Sequence, residues 1–310
     1  MTHSDQRLVH LIGAPTDVGA GVRGASMGPE ALRVAGLAES LRGLGCTVAD
    51  RGDVSGPPNP GLAPEGGHRH LHEVRAWNHE VFLQVGAALA EGALPITLGG
   101  DHSLAMGSIA AVAGHCRAQG RRLRLLWLDA HADFNTHEIT PSGNLHGMPV
   151  AVLAGMGPAD LVTLAGAEGP ALQVDAARLI GVRSVDAGER HLLHQTRLEV
   201  FDMRYIDEHG MRHTLEQALL GVDEGTHLHV SFDADFLDPD IAPGVGTPVR
   251  GGPTYREAQL CMEMIADTGA LASLDLMELN PARDVRNQTA ELVVDLVESL
   301  FGKSTLMRPR

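Results

Sequence analysis

The chain reads LLWLDAHAD over residues 125–133 and HVSFDAD over residues 229–235, and these two stretches decide its fold class. In each, an apolar run typical of a buried strand ends in side chains of the types that bind metals. The carboxyl ends of parallel strands meet at one edge of a sheet, where ligands of α/β proteins bind. The two stretches therefore predict a parallel sheet with a metal-binding edge.

The rest of the chain alternates short apolar runs with longer stretches of helical periodicity, which favours βαβ units. Strands are predicted at Leu8–Ile12, Leu94–Leu98, Leu123–Leu128, Arg178–Val182, His227–Phe232 and Leu271–Met277. Helices are predicted at Pro29–Leu44, Leu71–Glu91, Leu104–Ala118, Met211–Leu220, Tyr255–Thr268 and Thr289–Phe301. Because the strands are continuously apolar, both faces of the sheet must be covered. The prediction is a three-layer α/β/α fold with a mostly parallel central sheet, formed by residues 1–310 as a single domain.

The candidate ligands carry oxygen and nitrogen donors and no thiolate. In extended backbone alternate side chains share a face, so the carboxylates and the imidazole of Asp129–Asp133 would converge. The same spacing applies to Asp233 and Asp235, and His102 follows another apolar run. Four carboxylates and two imidazoles suit Mn²⁺ better than a structural zinc ion. The sequence therefore predicts two divalent metals with shared ligands, and with them a metal-dependent hydrolase.

Composition limits the class of partner and the cellular compartment. The 310 residues carry a formal net charge of −15, which argues against a nucleic-acid partner because such binding needs a basic footprint. No apolar run approaches the roughly 20 residues that span a bilayer, so no membrane association is expected. The cysteines Cys46, Cys116 and Cys261 form neither a metal motif nor a disulfide framework. We expect a reduced protein located in the cytoplasm.

Most of the 17 histidines are not ligand candidates. His68, His70 and His72 have the spacing of a metal tract, but no carboxylates cluster beside them. They are therefore interpreted as a solvated loop and the start of a helix. They follow the stretch Gly52–Gly67, whose proline and glycine content indicates a surface loop.

At these motifs the chain resembles the ureohydrolase family, and within that family it is most similar to the bacterial arginases. The resemblance covers nearly the whole length, at Gly13–Pro15, Gly24–Leu32, Gly99–Ser103, Asp129–Asp133, Ser231–Pro239, Gly244–Pro248, Met277–Pro281 and Thr289–Phe301. The metal motifs are common to the family. Arginases typically carry Ser-Gly-Asn-x-His-Gly after the first motif, as residues 142–147 do here, whereas agmatinases typically keep only the His-Gly. The resemblance implies an arginase-type fold and hydrolysis of L-arginine to L-ornithine and urea.

The resemblance also implies which residues bind two manganese ions per subunit. One ion would be bound by His102, Asp129, Asp133 and Asp233. The other would be bound by His131, Asp129, Asp233 and Asp235. Asp129 and Asp233 would then bridge the two ions. Asp101 precedes His102 and is interpreted as a residue that orients its neighbours.

The substrate contacts that the resemblance implies lie in separate segments. The α-carboxylate of L-arginine would be contacted by Asn135, Thr140, Ser142 and Asn144. The α-ammonium would lie near Asp186 and Glu189, and the guanidinium near Thr247 and Glu278. Polar donors suit a free α-carboxylate, which agmatine lacks. Ser184 stands where some arginases have an acidic residue, which leaves the contacts to the α-ammonium less closely matched.

The implied mechanism is attack on the guanidinium carbon by a hydroxide that bridges the metals. Asp133 would accept a hydrogen bond from that hydroxide, and Glu278 would hold the guanidinium by charge-assisted hydrogen bonds. His146 is the candidate proton shuttle, because histidine exchanges protons near neutral pH. A role as a hydrogen-bonding wall residue without proton transfer stays open for His146. Arginases form trimers or hexamers, so the resemblance also implies a homo-oligomer.

Two other functions stay open at this point. A different ureohydrolase, acting on agmatine or a related guanidino compound, would release urea from a substrate without the α-carboxylate. A non-enzymatic metal-binding or assembly protein on the same fold is favoured if a ligand or Glu278 is missing. The sequence contains every one of these residues, which argues for an enzyme.

Overall fold

Eight strands form one sheet in the computed structural model, which describes residues 7–164 and 169–306. The strands are Leu8–Ala14 (β1), Thr47–Asp53 (β2), Leu94–Gly99 (β3), Arg122–Leu128 (β4), Ala177–Val182 (β5), Glu199–Asp202 (β6), Thr226–Asp233 (β7) and Leu271–Met277 (β8). Their order is β2-β1-β3-β8-β7-β4-β5-β6, and each neighbouring pair is parallel. The predicted parallel sheet is confirmed.

Helices cover both faces of this sheet in the part of the chain that the structure describes. They are Gly28–Val34 (α1), Leu37–Gly43 (α2), Leu71–Ala90 (α3), Ala105–Gln119 (α4), Pro149–Leu153 (α5), Ala159–Val162 (α6), Ala187–Gln195 (α7), Met203–Ala218 (α8), Tyr255–Asp267 (α9) and Gln288–Leu300 (α10). Helices α1, α2, α8, α9 and α10 pack on one face, and α3 to α7 pack on the other. The prediction of three layers is confirmed. Within 7–164 and 169–306, no helix is both long and apolar enough to cross a membrane.

Strand β4 shows why the strands are continuously apolar. Leu125 and Trp127 pack into the core between the sheet and α4, whereas Leu126 and Leu128 pack into the core of the opposite face. All four side chains are fully buried. Alternate residues of a strand point to opposite faces, so a strand between two helical layers needs an apolar side chain at every position.

The edges of the sheet and the helix boundaries differ from the predictions. Strands β2 and β6 were not predicted, because they are short or polar edge strands with largely exposed residues. The predicted helix Pro29–Leu44 is two helices, which meet at Gly36 with a φ of 83°. The predicted helix Met211–Leu220 is the second half of α8, which begins at Met203 and kinks at Gly210. In both cases a glycine with a positive φ interrupts the helical backbone, and the apolar pattern of the sequence does not show this interruption.

The central strands bring the candidate motifs to one edge. In the sheet, Phe232 of β7 pairs with Leu128 of β4 on one side and with Leu276 of β8 on the other. The chain leaves these strands within one or two residues, at Asp129, Asp233 and Glu278, so the three carboxylates emerge side by side. This is the carboxyl edge of a parallel sheet, where ligands bind in such folds.

Candidate metal centre and active site

The first ligand group surrounds His102, which lies in a short 3-10 helix directly after β3. Its Nδ1 atom is 3.1 Å from Asp129 Oδ2, 3.5 Å from Asp133 Oδ2 and 3.0 Å from Asp233 Oδ2. All four side chains are buried. Three carboxylate oxygens therefore lie within 3.5 Å of this imidazole nitrogen, but only His102, Asp129 and Asp133 have donor atoms that all lie close to one another. Binding of the first ion by all four residues stays a prediction.

The second ligand group surrounds His131, which is partly exposed. Its Nδ1 atom is 3.3 Å from Asp129 Oδ1 and 3.1 Å from Asp235 Oδ2. Asp129 thus presents one oxygen to each imidazole, as a bridging carboxylate would. Asp233 is not part of this second group, and its Oδ1 atom accepts a hydrogen bond of 2.7 Å from the Asp235 backbone N–H. Bridging by Asp233 stays a prediction.

Beyond the ends of strands β4 and β7, the two motifs lack the extended backbone that the spacing predicted. Strand β4 ends at Leu128, and Asp133 has a φ of 48°, in the left-handed region. Asp235 lies in a 3-10 helix over Ala234–Phe236. The prediction of extended backbone was wrong because the chain turns over the edge of the sheet at both motifs. The turns, and not strand alternation, make the carboxylates converge.

Burial and charge make this cluster a site for cations. Burial, and after it repulsion by Asp129, raises the pKa of Asp133 well above its ordinary value. Burial together with repulsion by Asp235 and Asp129 does the same to the pKa of Asp233. Buried carboxylates this close together are unfavourable as anions unless cations lie between them. Their oxygens and the two imidazole nitrogens are donors that divalent transition metals accept, so the residues fit bound metal ions.

The predicted catalytic residues Asp133 and Glu278 have left-handed backbone conformations, with φ values of 48° and 61°. For a residue other than glycine this costs about 1–3 kcal/mol and persists only where the surroundings enforce it. The Glu278 backbone N–H donates to Gly100 O at 2.8 Å, and Glu278 Oε1 accepts from the His102 backbone N–H at 2.9 Å. These bonds hold the Glu278 carboxylate beside the first ligand group.

His146 is paired with the same carboxylate. Its Nδ1 atom lies 2.8 Å from Glu278 Oε1, and its backbone N–H donates to Gly19 O at 3.1 Å. Burial lowers the pKa of His146, but the Glu278 charge outweighs burial and raises the pKa above its ordinary value. Burial raises the pKa of Glu278, but His146 and the His102 N–H outweigh it and lower the pKa. Each residue therefore stabilises the charged form of the other.

A cavity of about 260 Å³ opens above the cluster. It is lined by every residue predicted to act in catalysis or substrate binding, and by two further ligands: Asp133, His146, Glu278, Asn135, Thr140, Ser142, Asn144, Asp186, Glu189, Thr247, His131 and Asp233. Gly147 and Ser184 complete the lining. The ligands His102, Asp129 and Asp235 are buried and do not line it. The fold thus brings together residues from segments more than 100 positions apart.

The residues predicted to contact an α-carboxylate lie on the loop Asn135–His146, which is held by hydrogen bonds between its own residues. Thr140 Oγ1 accepts hydrogen bonds from the backbone N–H groups of Ser142 at 3.3 Å and Gly143 at 3.0 Å. Ser142 Oγ accepts one from the Asn144 N–H at 3.2 Å. Both hydroxyls act as acceptors here, so their own protons stay available to a ligand.

Asp186 and Glu189 differ in what they present to the cavity. The Asp186 side chain accepts a hydrogen bond of 3.0 Å from Asn135 Nδ2. Both oxygens of buried Glu189 are used by backbone groups, at 2.7 Å from Phe134 N and 3.2 Å from Asp186 N. Burial raises the pKa of Glu189 to about 7. Glu189 therefore fixes the start of α7 and the position of Asp186, and it also lines the cavity, so its predicted contact with a ligand stays a prediction.

Thr247 and Asp101 orient groups around the cluster. Thr247 Oγ1 donates to Asp235 Oδ2 at 3.0 Å, so the hydroxyl predicted near the guanidinium also holds a ligand carboxylate. Asp101 accepts from the backbone N–H groups of Gly19 at 2.8 Å and Ser103 at 3.0 Å. Burial, with repulsion by Glu278, raises the pKa of Asp101 to about 6. These contacts agree with the interpretation of Asp101 as an orienting residue.

Three supporting residues were missed by sequence reasoning. The Trp127 ring stacks on His102 with centroids 3.9 Å apart, and its Nε1–H donates to Asp129 Oδ2 at 2.9 Å. Ser231 Oγ lies 2.9 Å from His102 Nε2, and Arg183 Nη2 donates to Asp235 O at 2.7 Å. The one available signal in the sequence was Arg183, a charged residue directly after strand β5. Trp127 looks like an ordinary strand residue.

The interpretation of the histidine tract holds for His72 and is wrong for His70. His72 is exposed, but His70 is buried and precedes α3 with a φ of 55°. Its Nδ1–H donates to Val18 O at 2.9 Å, and Nε2 accepts from the Leu62 N–H at 2.9 Å. His70 therefore joins the loop that precedes α3 to the loop that follows β1, in a role that spacing alone does not reveal.

The fold and the cluster together define a three-layer α/β/α protein whose buried carboxylates and imidazoles fit divalent metal ions. A family model described as the Arginase family matches residues 7–302, and the chain belongs to that family. The chain is similar to an arginase from Bacillus subtilis strain 168, with 42% identity over 97% of this chain and 99% of the relative. It is 44% identical to an arginase from Brucella melitensis, over 96% and 97% of the two chains.

Solved structures agree with the family. The structure of an arginase from Bacillus caldovelox superposes with a TM-score of 0.91 and 39% identity, covering 97% of this chain and all of that chain. A structure described as a hypothetical agmatinase from Burkholderia thailandensis is more distant, with a TM-score of 0.70 and 25% identity over 96% and 85% of the two chains.

Proposed function

We propose that this chain is an arginase, which hydrolyses L-arginine to L-ornithine and urea with two Mn²⁺ ions per subunit. The observation that carries the proposal is the single cavity that has the ligand cluster at its base and the loop Asn135–His146 in its wall. The similarity to bacterial arginases along nearly the whole chain supports the same reaction.

The proposed ligands of the first ion are His102, Asp129, Asp133 and Asp233. Those of the second are His131, Asp129, Asp233 and Asp235. Mn²⁺ is favoured because the donors are carboxylate-rich and include no thiolate. When bound, two such ions supply an activated water molecule and offset the charge that develops in the transition state.

The chain's own residues would bind and orient the guanidinium. Glu278 is buried, and its lowered pKa keeps it anionic. A carboxylate held in this way can accept paired hydrogen bonds from a planar guanidinium. Thr247 would contribute from the Asp235 side of the cavity, where its hydroxyl lies. Asp133, at the cavity wall, would accept the proton of the attacking water.

His146 would move protons between the cavity and the leaving amine. It lines the cavity, and the Glu278 charge raises its pKa, so its protonated form persists toward neutral pH. A protonated imidazole can give its proton to ornithine as the carbon–nitrogen bond breaks. The alternative is a hydrogen-bonding wall residue without proton transfer, and substitution of His146 by asparagine separates the two roles.

The far end of the cavity would recognise the α-substituents. Asn135, Thr140, Ser142 and Asn144 would contact the α-carboxylate, directly or through water. Asp186 would attract the α-ammonium, and Glu189 would hold Asp186 in place through the start of α7. Agmatine lacks the α-carboxylate, so the polar groups that contact this carboxylate would be buried without a partner. This end of the cavity would therefore select against agmatine.

The test is urea release from L-arginine and from agmatine by the protein after metal removal and reconstitution with Mn²⁺. We expect urea from L-arginine, loss of activity with a chelator, and recovery with Mn²⁺. Faster turnover of agmatine would move the protein to the agmatinases. No urea from any guanidino compound would leave only a metal-binding function on this fold.

We also propose that residues 1–310 form one catalytic domain, that the protein is a trimer or hexamer, and that it acts in the cytoplasm without nucleic-acid or membrane partners. The oligomer is what the resemblance to arginases implies, and the net charge of −15 opposes a polyanionic partner. Light scattering coupled to gel filtration tests the oligomer, with a monomeric mass as the contrary result.

A further inference from the structure

Arg69 connects the loop before α3 to the loop Asn135–His146, the substrate loop, which is proposed to bind the α-carboxylate. Its Nε–H donates to Asn144 Oδ1 at 2.7 Å, and its backbone N–H donates to Gly143 O at 2.7 Å. A third bond runs from Nη1 to Leu62 O at 2.9 Å. Arg69 therefore has one contact with the proposed substrate loop through its side chain and one through its backbone.

The chemistry of the two side chains fixes how Asn144 is oriented. A guanidinium has only donors, so the carboxamide atom that faces Arg69 must be the oxygen. The amide nitrogen Nδ2 is then the free group, and within 7–164 and 169–306 it donates to no protein acceptor. Asn144 lines the cavity, so the group left to a ligand is a donor.

Gly21 closes the other side of this carboxamide. A Cβ atom built on Gly21 would lie 2.7 Å from Asn144 Nδ2, closer than real Cβ contacts. The absence of a side chain at Gly21 thus leaves the space that Nδ2 occupies. The carboxamide is held between a donor that takes its oxygen and a glycine that makes room for its nitrogen.

Arg69 is itself held in place by the next residue. His70 is buried, and its ring bonds to Val18 O and to Leu62 N tie this part of the chain to the loop after β1 and to the loop before α3. The loop before it packs on the substrate loop, since a Cβ on Gly67 would lie 2.2 Å from His137 O. The guanidinium is therefore positioned more firmly than an ordinary surface arginine.

We propose that Arg69 is a positioning residue for substrate specificity: by taking Asn144 Oδ1, it directs Nδ2 to the α-carboxylate of the substrate. The proposal rests on the proposed function of the Asn135–His146 loop. Without Arg69 the carboxamide can turn and present its oxygen, which repels a carboxylate. Substrates without that carboxylate are not affected by the turn.

The test is a double-mutant cycle of Arg69→Met and Asn144→Ala, with KM and kcat measured for L-arginine and agmatine on the Mn²⁺-loaded enzyme. We expect Arg69→Met to raise the KM for L-arginine about 10-fold, which is the loss of one charge-assisted hydrogen bond, with kcat changed less than about twofold. The values for agmatine should not change. In the Asn144→Ala background, Arg69→Met should have no further effect, because the two residues act as one unit.

Two further variants separate orientation from charge and from folding. Arg69→Lys keeps the charge but loses the Nε donor, so we expect most of the KM increase to remain. Gly21→Ala crowds Nδ2 from the opposite side and should raise the same KM with Arg69 intact. If L-ornithine and 1,4-diaminobutane are used as competitive inhibitors, only the inhibition by L-ornithine should weaken.

Equal losses for L-arginine and agmatine, or additive effects in the cycle, would overturn the positioning role and leave Arg69 as a structural tie. Failure of the proposed function is a different result, in which the wild-type protein releases no urea from L-arginine. The two failures are therefore distinguished by the wild-type control alone.

Discussion

The ligand cluster and the Asn135–His146 loop lie in the same cavity but are built in opposite ways. The ligands leave the ends of the central strands, and most of them are buried. The loop residues Thr140 and Ser142 are partly or fully exposed, and hydrogen bonds within the loop hold them, while Arg69 holds Asn144. Under the proposed function, the reacting groups lie at the ends of the sheet strands, and the residues that select the substrate lie on a loop.

This difference predicts which substitutions should affect activity towards every substrate and which should affect only the choice of substrate. Altering the cluster should remove the reaction for every substrate, because it removes metal ions. Altering the loop should change the choice of substrate and leave the metal content as it is. Metal content and the ratio of L-arginine to agmatine turnover therefore distinguish substitutions in the two regions.

The largest effect is expected from Asp233→Ala in the cluster. Removing this carboxylate takes away one of the three oxygens around His102 Nδ1, so at least one metal ion should be lost. We expect kcat/KM to fall more than about 1000-fold for L-arginine and agmatine alike. Metal content by elemental analysis and urea release measure both effects. Asp240→Ala, at an exposed position, is the matched control, and normal metal content in Asp233→Ala would contradict the assignment.

His146→Asn should act on turnover without removing metal. The imidazole is paired with Glu278 and is not one of the ligands, so the Mn²⁺ content should stay at the wild-type value. Loss of a proton-transfer group lowers kcat by about 100-fold. The exposed His79→Asn is the control. Unchanged kcat would leave His146 as a wall residue of the cavity only.

The scaffold beneath the cluster should be sensitive to acid through His227 at the start of β7. Burial, with the nearby His229 and Arg121, lowers the pKa of His227 to about 3, from an ordinary 6.5. Between these values the unfolded chain takes up a proton and the folded chain does not, so stability falls as the pH falls. The loss from pH 7 to pH 5 is about 2 kcal/mol for this residue.

Urea unfolding of wild type and His227→Gln at pH 7 and pH 5 measures this difference. We expect the variant to lose less stability than wild type over that interval, whatever its stability at pH 7. His194→Gln, at an exposed position of α7, should behave as wild type. An identical pH dependence in wild type and His227→Gln would show that the histidine is not held neutral.

The smallest effect is expected from Ser142→Ala in the loop. One hydrogen bond from an exposed hydroxyl to the α-carboxylate is lost, so kcat/KM for L-arginine should fall about 5-fold. Agmatine turnover and metal content should stay the same, and Ser55→Ala in an exposed loop is the control. A parallel loss for both substrates would place Ser142 in the catalytic machinery and remove the division between the two regions.

The sequence predicts the cluster better than the loop, for a physical reason. A buried strand needs apolar residues at every position, so the carboxylates after Leu128 and Phe232 stand out and the parallel sheet brings them together. Convergence was predicted correctly, although the backbone that produces it was not. Turns such as the one at Asp133 depend on the tertiary surroundings, and no local pattern of residues announces them.

Residues that act through others were out of reach of the sequence. Trp127 supports Asp129, but its place in β4 makes it look like any core residue. Arg69 lies 75 positions from Asn144, and His70 looks like part of a solvated tract. The edge strands β2 and β6 lack the apolar pattern because one or both of their faces are exposed. Long-range contacts of this kind appear only once the chain is folded.

In the proposed enzyme, one cavity joins two metal ions to a loop that binds the substrate carboxylate. A crystal structure of the Mn²⁺-loaded protein with L-ornithine, with anomalous scattering measured at the manganese edge, tests it most directly. We expect two anomalous peaks about 3.5–4 Å apart, one beside His102 and one beside His131. We also expect the ornithine carboxylate within hydrogen-bond distance of Ser142 and Asn144. A single peak, or a carboxylate bound away from that loop, would contradict this arrangement.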